Sequence, residues 1–384
     1  MASPPWLLAC ALQYIVWGRV GLLGALMWAA TVGALQASAH RIGALIIMPS
    51  GRAIVAWLLW AQRLSAAPPR LLLRLRDGAS WARVASGCGE ALQQLRAAGH
   101  DDAARSGARA ALLRMPGAEA LALTSPDGVE LDGVVLGRAA WAEGRLRGAL
   151  LYLGGNDEFY ETQGPLLARY AGAHALLAVA LNVRGIGRSG ARCGVTRDGA
   201  ITDAATALAY LIHGCGVPPR AVVVLGHSIG GALGAAAAAV FPGVCLISDR
   251  SFGRLSDVAL WALAEGASSA SARDTAARAG VRALVRHVAL WEIDAAEAWR
   301  ARAGARGGGV IVAHAAGDAI IAAGASMAAA LREAQGGYCE LRMDDARAPH
   351  QHQQHNRPFH THEEARIFEA VRGWREGAAL PLQV

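Results

Sequence analysis

Residues 221–241 read AVVVLGHSIGGALGAAAAAVF. Ala221 to Leu225 form an apolar run without a polar break, the pattern of a strand buried on both faces. The run ALGAAAAAVF that begins at Ala232 is dominated by the best helix former. Between them lies Gly226-His227-Ser228-Ile229-Gly230-Gly231. A serine held between a strand and a helix is forced into a tight turn, and Gly226 and Gly230 leave room for the chain to pass close to itself. Such a turn lifts the hydroxyl clear of the sheet. It also aims the next amide, that of Ile229, at an oxyanion forming beside it. The following helix adds its positive end. The simple alternative is a turn in a glycine-rich chain; the strand before it and the helix after it argue against that.

The same grammar extends in both directions. Ala120 to Leu123 and Val129 to Leu136 read as an initial hairpin, followed by apolar runs at Ala149 to Leu153, Ala175 to Leu181, Val244 to Ile247 and Val310 to Ala313. Leu341 to Met343 belongs to a last, weaker strand. Helical stretches alternate with these runs, which implies βαβ units and a mainly parallel sheet flanked by helices. Chemistry in such sheets gathers at the carboxyl ends of the strands, and the polar motifs of this chain fall there.

From about Ala111 to its end the chain resembles the α/β-hydrolases, most nearly their membrane-anchored lipase- and thioesterase-like branch, related to the serine-aminopeptidase-like group. GHSIGG matches the nucleophile turn of that family without departure. The resemblance implies the α/β-hydrolase fold and a serine hydrolase with Ser228 as nucleophile. Tyr152 to Glu161 (YLGGNDEFYE) stands where the family has a His-Gly-Asn-type loop, with Gly154 in place of the usual His. The resemblance makes the Asn156 amide the second oxyanion donor beside that of Ile229. Asn182-Val183-Arg184-Gly185-Ile186-Gly187-Arg188-Ser189-Gly190 is similar to a structural loop of the family, with Asn182 where Asp is usual. Its literal GxGxxG also raises a dinucleotide site, but no helix is expected to open on these glycines, as that site requires.

A serine nucleophile in this fold needs an acid and then a histidine, in that chain order. Asp318 follows the strand VIVA and resembles the family's acid loop; Asp249, in SDRSF, is the alternative. The last loop carries His350, His352, His355, His360 and His362. His355-Asn356 matches the pair that begins the terminal catalytic loop in several relatives, and His350, nearer the strand end, is the competing base. The histidine tract has no diagnostic metal-ligand spacing, and neither a metal nor a cofactor is expected. The expected chemistry is hydrolysis of an ester, thioester or amide through an acyl-enzyme on Ser228. Transfer to an acceptor other than water, or a catalytically silent membrane-associated binding protein on the same fold, are the other readings.

The chain has 384 residues, 54% of them hydrophobic, and a formal charge of +7 carried by arginine alone. Those arginines are scattered rather than gathered into a stripe, which excludes a nucleic-acid binder from the expectations. The six cysteines include no CxxC pair, contrary to a disulfide scaffold and in keeping with a reducing compartment. Residues 1–63 form an apolar region expected to anchor the chain. Val20 to Ser38 carries no charge, and nineteen helical residues reach about 30 Å, the thickness of a bilayer core. Arg19 precedes that stretch, and Arg41, Arg52, Arg63, Arg70, Arg74 and Arg76 follow it. A single pass would therefore leave the C-terminal domain in the cytoplasm; a peripheral attachment is the alternative. Residues 64–117 read as a helical linker and residues 118–384 as the hydrolase domain. Within it, residues 250–308, after the sixth strand, include Trp261, Trp291 and Trp299 and are expected to form a helical cap. An apolar cap and a membrane anchor together favour a lipid or acylated small-molecule substrate.

Overall fold

The computed structural model describes residues 102–156, 158–190, 196–264, 282, 285–286, 291–303, 309–318, 320–333, 338–343 and 351–380. The expected anchor at residues 20–38, most of the linker and His350 lie outside these residues. Among the described residues no helix is long and apolar enough to cross a membrane.

Eight strands form a single sheet: β1 (Ala118–Thr124), β2 (Glu130–Leu136), β3 (Gly148–Leu153), β4 (Leu176–Leu181), β5 (Val222–His227), β6 (Cys245–Asp249), β7 (Val310–His314) and β8 (Cys339–Arg342). Their order is β1-β2-β4-β3-β5-β6-β7-β8. β1 and β2 pair antiparallel, β2 joins β4 antiparallel, and every pair from β4 to β8 is parallel. The chain passes from β3 to one neighbour, β4, and then returns to the other side of β3 as β5. That reversal opens a crevice at the carboxyl ends of β3 and β5.

Side chains of the central strands alternate between two apolar layers, as the pleat demands. On one face Leu151, Leu153, Val222, Val224 and Leu246 pack under α4 (Arg197–Ala209), α5 (Ile229–Ala238) and α7 (Ala295–Ala303). On the other Leu150, Tyr152, Val223, Leu225 and Ile247 pack under α3 (Gly164–His174) and α10 (Thr361–Arg375), with Leu112 of α1 (Asp102–Leu113) alongside. Burial on both faces is why these strands read as continuous apolar runs. The short helices α2 (Arg138–Ala142), α6 (Leu255–Ala264), α8 (Met327–Glu333) and α9 (Gln351–Asn356) complete the described helices. The composition of α5 follows from its closeness to the sheet: a Cβ on Gly234 would come within 2.9 Å of Val224 Cγ1.

One expectation about a particular segment changes. In the stretch 250–308, Trp291 and Trp299 are buried in the layer around α5, so residues 291–303 cover the sheet rather than the site; Trp261 of α6 is the exposed tryptophan. In the loop of residues 182–190, Gly185 and Gly187 have φ of 77° and 57° and sit in turns. Among the described residues no helix opens on them, and α4 starts only at Arg197, capped by Thr196. The dinucleotide reading has no support in this geometry. Instead Arg184 donates through Nη2 to the fully buried Asp203 at 2.7 Å and to Asp127 at 2.9 Å, fixing the loop to α4 and to the β1–β2 turn. Asn182 accepts from the Tyr160 amide at 3.2 Å and donates to Glu161 at 2.9 Å. The amide side chain can do both, which a carboxylate cannot.

Candidate active site

Ser228 stands between β5 and α5 with φ 52° and ψ −122°. A non-glycine residue in this region costs on the order of 1–3 kcal/mol and is held there by its surroundings. The surroundings are visible. A Cβ on Gly230 would sit 2.1 Å from the Leu153 carbonyl oxygen, and one on Gly226 would sit 2.4 Å from the Gly230 carbonyl oxygen. Both obstacles are backbone, so neither can swing aside. Gly230→Ala is therefore expected to lower the unfolding free energy by about 1–3 kcal/mol, as overpacking does. A urea midpoint equal to that of the wild type would contradict this packing.

The serine amide donates to Asp249 O at 2.9 Å, which ties the turn to the end of β6. Ser228 Oγ makes no hydrogen bond among the described residues. The Ile229 amide is in the first turn of α5, where no intrahelical acceptor exists. Across the crevice Gly155 lies against the nucleophile: a Cβ there would be 3.3 Å from Ser228 Cβ. The Gly155 amide is already engaged, donating at 2.7 Å to Glu158, which also accepts from the Tyr152 hydroxyl at 2.9 Å. The carboxylate thus braces the loop after β3, and among the described residues the next amide, that of Asn156, donates to no acceptor. Glu158 escaped the sequence reading although it lies in the quoted stretch. Its role appears only once the turn folds it back onto Gly155.

Asp318 and His355 come together from opposite ends of the C-terminal half. Asp318 follows β7 and is 5% exposed; His355 is in α9 and is 2% exposed. His355 Nδ1 lies 2.7 Å from Asp318 Oδ2. The other oxygen, Oδ1, accepts from the Ile320 and Ile321 amides at 2.8 and 2.9 Å, so the carboxylate is fixed in orientation. Burial, with the nearby charges of His227 and Arg250, pushes the His355 pKa below the ordinary imidazole value, against the pull of Asp318. The imidazole ring is centred 4.9 Å from that of His227, the residue before Ser228. The acid and the histidine expected from sequence are thereby brought together beside His227, the neighbour of Ser228, with no serine–imidazole hydrogen bond formed among the described residues. Such bonds are often long without substrate and tighten on binding.

Asp249, the alternative acid, does not meet His355. Its carboxylate takes His227 Nδ1 at 3.1 Å and the Arg250 guanidinium at 2.7 Å on each oxygen. Burial works against its charge, but Arg250 and His227 outweigh it and hold the carboxyl well below the usual range. Two further histidines of the tract belong to α10 and its start: His360 caps α10 in a box with Glu363, and His362 stacks on His360. Among the described residues no group of His, Cys, Asp or Glu is arranged to hold a metal ion. A cavity of about 630 Å³ opens elsewhere, at the amino ends of the strands, lined by Arg147, His174, Arg220, Arg372 and Arg375 among others. Arg372 and Arg375 occupy the last turn of α10, where cations complement the helix carbonyls. It lies a full strand length from Ser228.

The sequence matches no protein-family model and no curated protein. Solved structures do resemble the fold. An esterase of Pyrococcus furiosus superposes with a TM-score of 0.50 at 15% identity, over 68% of this chain and 91% of that one. An alpha-beta hydrolase from Vibrio vulnificus gives a TM-score of 0.47 at 16% identity, over 67% and 81%. Acetyl xylan esterase 1 from Thermoanaerobacterium sp. JW/SL YS485 gives 0.45 at 17%, over 70% and 93%. At 15% identity the likeness to the Pyrococcus esterase concerns architecture, and it agrees with the strand order: the chain has the α/β-hydrolase fold.

Proposed function

We propose that the protein is a serine hydrolase that cleaves an ester, thioester or amide through an acyl-enzyme on Ser228. The observation that carries this reading is the strained Ser228 turn with the buried His355–Asp318 pair beside it. Asp318 accepts from Nδ1–H, which leaves the other ring nitrogen of His355 as the base. That nitrogen takes the Ser228 hydroxyl proton as Oγ attacks the acyl carbon. The Ile229 and Asn156 amides receive the oxyanion, and one such donor contributes about 10²- to 10³-fold in rate. His355 then protonates the leaving group as the tetrahedral intermediate collapses, and water repeats the sequence to free Ser228. The esterases among similar solved structures favour an ester as substrate. The apolar N-terminal region and the exposed Trp261 of α6 favour an acyl or lipid group, presented at a membrane reached through residues 20–38 with the hydrolase domain on the cytoplasmic side.

The reading is tested by turnover of a p-nitrophenyl ester series from acetyl to palmitoyl with the full chain in detergent. Hydrolysis that rises with acyl length is expected, and no turnover at any length would sink the proposal. The pH dependence carries a sign. His355 must be neutral to act, and its environment disfavours the charged form. The acid limb of kcat/KM is expected below the ordinary imidazole value of about 6.5. A limb above pH 7 would show that another group, or a differently placed histidine, controls the rate.

A further inference from the structure

Arg250 combines a left-handed backbone with a buried charged side chain. It has φ 46°, in the left-handed region, and is 3% exposed. Its guanidinium is spent on three partners. Nε and Nη2 grip the Asp249 carboxylate at 2.7 Å each. Nη1 donates to the carbonyls of Gln354 at 2.8 Å and Arg357 at 2.5 Å. Those two carbonyls bracket His355 and Asn356. Gln354 is in the last turn of α9, where a helix leaves its carbonyls without intrahelical donors, and Arg357 follows the helix directly. The ring of Phe359 covers the guanidinium at 5.6 Å. A continuous chain of bonds results. The Ser228 amide holds Asp249 O, the Asp249 carboxylate holds Arg250, and Arg250 holds the backbone on either side of His355.

We infer that Arg250 is the positioning residue of the site, setting His355 in register with Ser228 through the Gln354 and Arg357 carbonyls. The inference rests on the hydrolase reading above and adds to it the device that joins a base on α9 to a nucleophile on β5. A fork is needed, because a lysine has one point of charge and cannot grip a carboxylate on two oxygens while reaching two carbonyls. The same group sets the local field. The titratable and charged groups facing His355 are Asp318 after β7, His227 at the end of β5, and Arg250 with Asp249 at the end of β6. Glu158, from the loop after β3, faces Arg250 in turn. Removing the guanidinium takes a cation from His355 and leaves Asp249 uncompensated. Both changes favour imidazolium.

Two variants separate position from folding. Arg250→Gly relaxes the left-handed backbone and deletes the fork; Arg250→Lys restores a charge without the fork. With a p-nitrophenyl ester, Arg250→Gly is expected to lower kcat about 10- to 100-fold, the effect of a small misplacement of a catalytic group, with little change in KM. Its acid limb should move to higher pH. Arg250→Lys should bring the limb back toward the wild type while kcat stays low. Wild-type kcat in either folded variant would overturn the inference, and should the glycine variant not fold, the lysine variant alone decides. NMR titration of the His355 imidazole in the full chain needs no turnover. An inactive wild type would therefore defeat the hydrolase reading alone, whereas an imidazole that titrates identically in wild type and Arg250→Gly would defeat the role of Arg250.

Discussion

Ser228→Ala is expected to lower ester turnover by about a thousand- to a million-fold, the range in which removal of a triad nucleophile falls. The same change should leave stability within about 0.5 kcal/mol of the wild type. The reason is specific to this turn. Ser228 Oγ makes no hydrogen bond among the described residues, and its 8% exposed side chain leaves almost no cavity when trimmed to a methyl group. The backbone strain is common to Ser and Ala, because both carry a Cβ at φ 52°. Activity and stability therefore part company at this position, unlike at Gly230, where both should fall. Kinetics and a urea melt on one preparation check the pair of outcomes. Activity within tenfold of the wild type would remove Ser228 from the chemistry.

The second large effect belongs to Asp318→Asn, for which a loss of about 10⁴-fold in kcat is expected. Asparagine preserves an acceptor for the Ile320 and Ile321 amides if its oxygen takes the place of Oδ1. Its NH₂ then faces His355 Nδ1, which must give up its proton to accept from it. The tautomer reverses, and the nitrogen meant for the Ser228 proton already carries one. Asp249→Asn should cost less, since its partners are His227 and Arg250 rather than His355. Steady-state kinetics on the two variants compare the acids directly. Full loss in Asp249→Asn with normal turnover in Asp318→Asn would reverse the assignment.

How far the sequence discloses this site depends on how local each interaction is. Strands β3 to β7 lie within two residues of the apolar runs that announce them, because both faces are buried and no polar residue interrupts them. β8 was legible only in part. It occupies Cys339–Arg342 rather than 341–343, and its Glu340 is buried against His314 at 2.8 Å, so a charged letter stands inside the strand. The nucleophile turn and the acid loop each follow a strand at short range, so Ser228 and Asp318 could be put forward from chain order, loop position and resemblance. The base could be narrowed to His355 or His350 but not settled, since the loop after β8 has no periodicity to fix which ring reaches Asp318. Arg250 shows the limit most clearly. Its carbonyl partners are 104 and 107 residues away, and no local pattern encodes them. The apolar surroundings of Trp291 and Trp299 misled in the opposite sense: helical periodicity reads the same for a cap and for a core layer.

The most direct test of a nucleophilic Ser228 is the site of covalent capture. The full chain is treated with a fluorophosphonate, and the adduct is located by fragment-ion mass spectrometry. Trypsin cutting after Arg220 and Arg250 releases residues 221–250, which contain Ser228 and Ser248 and no other serine. One phosphonate per chain, on Ser228 and absent from Ser228→Ala, is the expected result; an unlabelled protein, or an adduct on any other residue, would contradict it.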